Sequence, residues 1–422
     1  MSLTHKPRIS VSNLSSLIDE PINIKILGVP PRKEVTIKAK RVSNGEKTFH
    51  FSSYATFLSD EQGTIDLNEQ IPLNGSYSVK DGMGLFWSLE IIKIEDNTNK
   101  KSINPPVLPP QSFTLSLEID NEIVDEITIK RLWKAENISR ESIRENGIVG
   151  TFFHNEDGKP YPAIIILGGS EGGLNEFLGS LLASRGFTVL VLAYFGLEHL
   201  PKRLVEIPLE YIEKAIDWLK ERPETQKGWL GIHGVSRGSE LALLSASLFQ
   251  DIKAVVSLNG SAILFSGIVP WSDEETLPPA WVYKGEPFPY ASAQNPTKIA
   301  LECLEMYKER KGNPLVKWYK ALTSDSEVVR QATIKVEKIN GPILLISGKE
   351  DITVEFSRKA IERLKEFHFN HQFEHLIYPG ANHSLGIPYV YYGNGKKKET
   401  AFASADSWKK TIKFFAESSS KR

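Results

Sequence analysis

The spacing of apolar residues changes character partway along the chain, and this change constrains the fold more than any single motif. Up to about residue 135, apolar and polar side chains alternate, as in Ile22-Ile24-Ile26, Val35-Ile37-Ala39 and Phe113-Leu115-Leu117-Ile119. A period of two is that of half-buried antiparallel strands, and Asn74-Gly75 and Asp81-Gly82 read as turns between them. With no helical stretch nearby to cover the apolar faces, the strands must cover one another, which predicts an all-β, immunoglobulin-like sandwich. From Tyr161 onward the rhythm is different. Ala163 to Leu167 and Phe187 to Ala193 read as buried strands; Leu174, Phe177, Leu178, Leu181 and Leu182 form one helix face, stopped at Gly186. Leu209, Ile212, Ile216 and Leu219 mark the next helix, Lys253 to Leu258 and Ile343 to Ile346 further strands, and Ser407 to Phe415 a closing helix. Buried strands alternating with helices imply an α/β domain with a mainly parallel sheet covered on both faces.

A chain of 422 residues is too long for one core. The expected division is a β-sandwich over residues 1–140 and an α/β domain over 141–422, the boundary falling near 135 to 150. Within the second part the alternation fails over about 261–340. Pro270, Pro278, Pro279, Pro287 and Pro289 break the chain there, and Trp271, Trp281, Tyr283, Phe288 and Tyr290 accumulate. Such an insertion is expected to form a lid or pocket wall over the active face, the alternative being a surface excursion with its own small helical core.

Residues 229 to 240 carry the chemistry. An apolar run, Leu230 to Ile232, breaks into Gly234-Val235-Ser236-Arg237-Gly238, and Glu240, Leu241, Leu244 and Leu248 then recur at helical spacing. This is the pattern of a nucleophile elbow, in which small residues flanking Ser236 let a strand turn sharply into a helix and lift the hydroxyl above the sheet. A serine is a poor nucleophile without a base, and the base needs an acid to fix its tautomer. In an α/β-hydrolase the acid and the histidine follow the serine in that order. Asp351, just past the strand Ile343 to Ile346, is the expected acid, with Glu350 and the more distant Asp325 as rivals and a helix cap as its other role. His383, in the turn-rich loop after His375 to Tyr378, is the expected base among nine histidines. His233, His368, His371 and His375 read as packing, strand or surface residues. The oxyanion donors are expected to be the backbone N–H of Arg237 and that of Gly169 or Ser170, in the glycine-rich loop Gly168 to Gly173. That loop lacks the Lys-Ser/Thr ending of a P-loop and the spacing of a dinucleotide fingerprint. No histidine lies near cysteines or paired carboxylates at ligand spacing, so neither metal nor cofactor is expected.

Lysine and arginine total 51 against 52 for aspartate and glutamate, so no global field draws in nucleic acid or an anionic membrane. An anionic ligand would need a local patch, for which Arg237, Lys202, Arg203 and Lys284 are candidates. The single cysteine, Cys303, permits no internal disulfide. The polar start and the short apolar runs, such as Val189 to Phe195, lead to the expectation of a cytoplasmic protein without stable membrane insertion. Nothing in the pattern constrains the oligomeric state.

With these residues placed, the chain resembles the acyl-CoA thioesterase and bile acid-CoA:amino acid N-acyltransferase family. Beyond the elbow, the resemblance rests on Gly150-Thr151-Phe152-Phe153, on Leu181-Leu182-Ala183 with Gly186-Phe187, and on Leu192-Ala193-Tyr194 with Leu200-Pro201-Lys202. It continues through Asn259-Gly260-Ser261, Tyr283-Lys284-Gly285, Tyr378-Pro379, His383, Pro388-Tyr389 and Trp408. The resemblance implies a β-sandwich ahead of an α/β-hydrolase domain, an acyl-CoA substrate, and a triad carried over to Ser236, His383 and Asp351. The conjugating transferases of the family place cysteine at the nucleophile, so serine favours hydrolysis. Two departures stand out: Ser239 replaces a glycine common after the elbow, and Asn382-His383-Ser384 replaces a more usual Gly-His-aromatic. The rival readings are acyl transfer to an amino acid, a carboxylesterase or oligopeptidase-like hydrolase, and a binding protein that has lost catalysis; the last would be expected to lack one of the three residues.

Overall fold

The computed structural model describes residues 6–45, 47–96, 108–269, 277–393 and 396–420; Pro270 and Trp271 of the expected insertion lie outside them. The chain forms two compact units, Met1–Ala135 with Ile387–Ala405, and Glu136–Gly386 with Asp406–Arg422. The segment Ile387–Ala405 lies inside the expected 141–422 span and goes with the first unit.

The first unit is built from two sheets. One runs in the order Ser15–Leu17, Glu122–Leu132, Gln111–Ile119, Glu34–Ser43, Lys47–Leu58 and Asn74–Gly75, with Glu90–Asp96 also paired to Lys47–Leu58. The other contains Arg8–Val11, Ile24–Leu27 and Ile65–Asp66. The alternating residues are the buried ones: Ile22, Ile24, Ile26, Val35, Ile37, Ala39, Phe113, Leu115 and Leu117 are each at most 2% exposed. Tyr392 and Ala401, from the returning segment, belong to the same core.

Two local expectations for this unit are corrected. Asn74-Gly75 is not a free turn but is itself paired with Ala55 and Thr56, and at Gly75 (φ +147°) a Cβ would fall 2.5 Å from the Tyr54 carbonyl oxygen. A one-turn helix, Gly84–Trp87, is buried in a region that read as free of helix; four residues are too few for a helical period to register. Asp81 orients that turn by accepting from the Met83 and Trp87 side of it, the Met83 N–H at 2.8 Å and the Trp87 Nε1–H at 2.7 Å.

In the second unit an eight-stranded sheet runs Ile138–Ile143, Gly150–Asn155, Thr188–Leu192, Tyr161–Leu167, Thr225–Val235, Ala254–Leu258, Ile343–Gly348, Phe373–Tyr378. Gly150–Asn155 pairs antiparallel with both its neighbours, and every other pairing is parallel. Helices Glu176–Ala183, Glu210–Glu221, Arg237–Leu248 and Thr353–Glu366 alternate with them, and the part of the helix Lys397–Ser420 from Asp406 onward follows, giving the α/β-hydrolase architecture. Central strand residues such as Ile164, Ile165, Val255 and Leu345 are fully buried, as both-face coverage requires. Phe177 departs from its expected helix face: it is 43% exposed while Leu178, Leu181 and Leu182 are buried. The closing helix begins at Lys397 rather than Ser407; its polar first turn, Lys397-Lys398-Glu399, carries no apolar signal.

The insertion after Leu258 holds a small sheet, Ile207–Pro208 with Trp281–Tyr283 and Glu286–Pro287, and three helices, Pro296–Glu309, Pro314–Leu322 and Ser326–Ala332. Pro296 and Pro314 start their helices, where the missing N–H costs nothing. Asn313 and Asp325 cap the second and third, accepting from the N–H groups of Leu315 and Glu327 at 3.0 and 2.9 Å. No helix among the described residues is long and apolar enough to cross a membrane.

Candidate active site

The strand Thr225–Val235 turns into the helix Arg237–Leu248 through one residue, Ser236, held at φ 54°, ψ −120°. A non-glycine residue at positive φ is strained, and here the surrounding packing enforces it. A Cβ on Gly234 would lie 2.1 Å from the Gly238 carbonyl oxygen, and one on Gly238 would lie 2.1 Å from that of Gly168. The small residues either side of Ser236 are therefore a steric necessity of the turn. Ser239, the departure from a glycine, fills its place productively: its Oγ lies 2.6 Å from the Gly234 carbonyl oxygen and 3.0 Å from that of Leu258.

His383 stands between Ser236 and Asp351. With its proton on Nδ1 the ring donates to Asp351 Oδ2 at 2.6 Å and, through Nε2, accepts from the Ser236 hydroxyl at 3.2 Å. Asp351 is buried, and its second duty is local: Thr353 donates to it through Oγ1 (2.8 Å) and N–H (3.2 Å) at the start of the helix Thr353–Glu366. The hydrogen bond to Asp351 raises the His383 pKa above the ordinary 6.5 against the opposing effect of burial; the charges of Asp351 and Glu171 add to the rise. Glu350 is exposed, and Asp325 caps the helix Ser326–Ala332 instead. Burial disfavours the charged form of two other histidines. His233 is pushed down to about 4, and His375, whose Nε2 lies 2.9 Å from Ser347 Oγ, also to about 4.

Around the nucleophile, Arg237 opens its helix, and an amide in a first turn has no intrahelical partner. The Ser170 N–H has no hydrogen-bond partner among the described residues, whereas the Gly169 N–H donates to Glu171 Oε1 at 3.1 Å. Tyr194 fixes this loop from below, its hydroxyl donating to the Gly168 carbonyl oxygen at 2.7 Å. Ser170, Ser236 and Arg237 open onto a cavity of about 380 Å³ walled by Phe265, Ile268, Leu315, Trp318, Tyr319 and Leu322 of the insertion, among others. Phe265 and Trp318 thus belong to a largely apolar wall beside the nucleophile, of the kind a hydrocarbon chain would occupy.

Of the four basic candidates, Arg237 is spent internally. Its guanidinium, 8% exposed, donates to the carbonyl oxygens of Phe265 and Ser266 at 3.2 and 3.1 Å and lies 3.4 Å from Glu240. Glu240 is fully buried and accepts from the Phe265 N–H (3.0 Å) and Trp281 Nε1–H (2.6 Å); burial pushes its carboxyl above the usual range, with Arg237 opposing. Lys202, Arg203 and Lys284 are exposed, and Lys284 Nζ lies 5.1 Å from the Tyr283 ring centre. The sequence reading assigned no positioning role to three residues. Asn259 ties the acid strand to the histidine loop, donating to the His383 carbonyl oxygen (3.1 Å) and accepting from the Gly348 N–H (3.0 Å). Glu171 and Glu240 are the other two, and a lone polar residue after a strand or inside a helix carries no periodic signal.

Residues 207–421 match the family described as BAAT / Acyl-CoA thioester hydrolase C terminal, and residues 19–145 match the Acyl-CoA thioester hydrolase/BAAT N-terminal region. Acyl-coenzyme A thioesterase 1 of Mus musculus is 28% identical over 421 residues, covering 94% of this chain and 93% of its own. Acyl-coenzyme A amino acid N-acyltransferase 2 of Rattus norvegicus is 30% identical over 429 residues, 95% of each chain. The mitochondrial acyl-coenzyme A thioesterase 2 of Mus musculus is 28% identical over 415 residues, 94% of this chain and 86% of its own.

Proposed function

The chain belongs to the acyl-CoA thioester hydrolase/BAAT family, and on that premise we propose that it is a serine hydrolase cleaving acyl-CoA thioesters to free acid and coenzyme A. The observation that carries the reading is the hydrogen-bonded chain Ser236, His383, Asp351 at the edge of an apolar cavity. Ser236 Oγ attacks the thioester carbonyl as its proton passes to His383 Nε2; Asp351 holds the imidazole in the accepting tautomer and stabilises the imidazolium. The oxyanion rests on the amides of Arg237 and of Gly169 or Ser170. His383 returns the proton to the departing coenzyme A sulfur, leaving an acyl-Ser236 ester. Water, deprotonated by the same imidazole, then releases the acid and restores Ser236. The acyl chain lies along the insertion wall, and the exposed Lys202, Arg203 and Lys284 are the cations offered to the coenzyme A phosphates. The reading assigns the enzyme to the cytoplasm, which cell fractionation would test.

Transfer of the acyl group to an amino acid is the second reading, favoured by the 30% identity to an N-acyltransferase. Both are tested by thiol release from short, long and branched acyl-CoAs, with and without glycine, Ser236→Ala serving as control. Release that needs Ser236 and ignores glycine supports hydrolysis; acyl-glycine as the main product favours transfer. Turnover of p-nitrophenyl esters with silent thioesters overturns the coenzyme A reading.

A further inference from the structure

The carboxylate of Glu171 lies in the loop beside the nucleophile. Its Oε1 accepts the Gly169 N–H, one of the two amides that compete for the second oxyanion-donor role, at 3.1 Å. Its Oε2 lies 2.6 Å from the point where a Cβ on Gly169 would stand, a point only 3.2 Å from the Ser236 Cβ. The carboxylate is also close enough to His383 to raise its pKa. The Glu171 side chain is exposed, and among the described residues the Gly169 amide is its one hydrogen-bond partner. Gly172 and Gly173 follow at φ +69° and +75°, and a Cβ on Gly173 would meet nothing within 4 Å, so open space adjoins the loop on that side.

Donors preorganised for an oxyanion also suit a carboxylate, and the product of thioester hydrolysis is a carboxylate. A hydrolase with such donors is exposed to inhibition by its own acid. Resting on the hydrolase reading above, we propose that Glu171 is a resident anion of the oxyanion site, a specificity-determining residue that yields to the neutral thioester and excludes the anionic acid. In the free enzyme it holds the Gly169 amide aligned. A thioester carbonyl, uncharged in the ground state, displaces the carboxylate toward the open space beside Gly173, where solvent screens it from the oxyanion that then forms. After deacylation the tethered carboxylate returns to the amide and repels the acid. Glu171 acts through the Gly169 amide and through charge, and takes no part in proton transfer.

The test separates charge from hydrogen bonding. Octanoate inhibition and the kinetics of octanoyl-CoA hydrolysis are compared for wild type, Glu171→Gln and Glu171→Ala. Glutamine keeps an acceptor for the Gly169 N–H and loses the charge; alanine loses both. The expected result is octanoate binding tightened about tenfold in Glu171→Ala and about threefold or more in Glu171→Gln, with KM lowered less than the inhibition constant. Since Asp351 and Glu171 are the charged groups that raise the His383 pKa, the acid limb of the rate profile also moves to lower pH in both variants. Octanoate inhibition unchanged in both variants, or a fall in kcat with no tightening of octanoate, overturns the proposal and leaves Glu171 a loop-stiffening residue. If wild type turns over no acyl-CoA, the functional reading fails on its own; octanoate competition against a p-nitrophenyl ester then still decides the role of Glu171.

Discussion

Replacing Glu240 by alanine should be the most costly single change near the site that leaves Ser236, His383 and Asp351 untouched. Glu240 is fully buried, with its side chain 1% exposed and that of Arg237 8% exposed, so solvent screening barely weakens their interaction. The substitution strips the Phe265 N–H and Trp281 Nε1–H of their acceptor and leaves the Arg237 guanidinium without its carboxylate. Breaking a buried pair from one side costs about 3–5 kcal/mol, because the remaining charge stays desolvated. For a unit of this size that is about 6 to 20 °C in the melting temperature of the catalytic unit. Glu240→Gln, which keeps the acceptor and loses the charge, should fall between. Adding Arg237→Met to Glu240→Gln removes the stranded cation, so the double variant should be more stable than the summed single effects by about 1–3 kcal/mol. Calorimetry on five proteins, wild type, Glu240→Ala, Glu240→Gln, Arg237→Met and the double variant, resolving the transition of this unit, measures both the cost and the cycle. A cost for Glu240→Ala below about 1 kcal/mol, or strict additivity in the cycle, would refute the argument that the pair clamps the elbow helix to the insertion.

Asp351→Asn should lower kcat on the order of 10³ to 10⁴-fold, read by single-turnover thioester cleavage with unchanged circular dichroism, because asparagine stabilises the wrong tautomer of His383. The base must be neutral to accept a proton, so kcat/KM should rise with pH along a limb centred above 6.5. The same upward shift favours the protonated ring in the folded state. Its contribution to stability is full below the unfolded histidine's pKa and is lost as pH rises through the raised folded value, so Asp351→Asn should destabilise more at pH 5 than at pH 9 in thermal melts. Gly238→Ala drives a Cβ to 2.1 Å from the Gly168 and 2.6 Å from the Leu167 carbonyl oxygens, both backbone, and should cost about 1–3 kcal/mol or more and displace the oxyanion loop. Trp318→Ala enlarges the cavity and should move the preferred acyl chain to greater length in an acyl-CoA panel; an unchanged profile would mean the chain lies elsewhere.

The features that were legible in the sequence repeat or crowd. Alternation at Val35-Ile37-Ala39 and Phe113-Leu115-Leu117 marks burial because a strand shows every second residue to one side. The elbow was legible because two flanking glycines and a strand-to-helix change coincide at Ser236. Asp351 and His383 were reachable through chain order, since each lies just past a strand end of a parallel sheet. What stayed hidden was set by tertiary contact. The buried turn Gly84–Trp87 is shorter than a helical period, and the polar first turn at Lys397 looks like loop. Arg237 read as a cation for phosphate, but the site turns it inward to Glu240, a partner three residues on whose burial depends on the insertion folding over it. Glu171 and Asn259 matter through hydrogen bonds to backbone groups, which leave no periodic signal.

The return of Ile387–Ala405 to the first unit makes that unit discontinuous: begun first in synthesis, it is completed only after residues 136–386 of the second unit have been made. Its core includes Tyr392 and Ala401, so a nascent chain that has emptied residue 135 from the ribosome still has an unfilled β core, and some 250 residues at the usual elongation rate delay completion by tens of seconds. During that interval the catalytic unit can gather its own strands, while the β unit depends on chaperones or on its own partial sheets to avoid edge-to-edge association. Cutting the gene at the apparent boundary near residue 140 would therefore give two defective proteins, one missing core residues and the other displaying them.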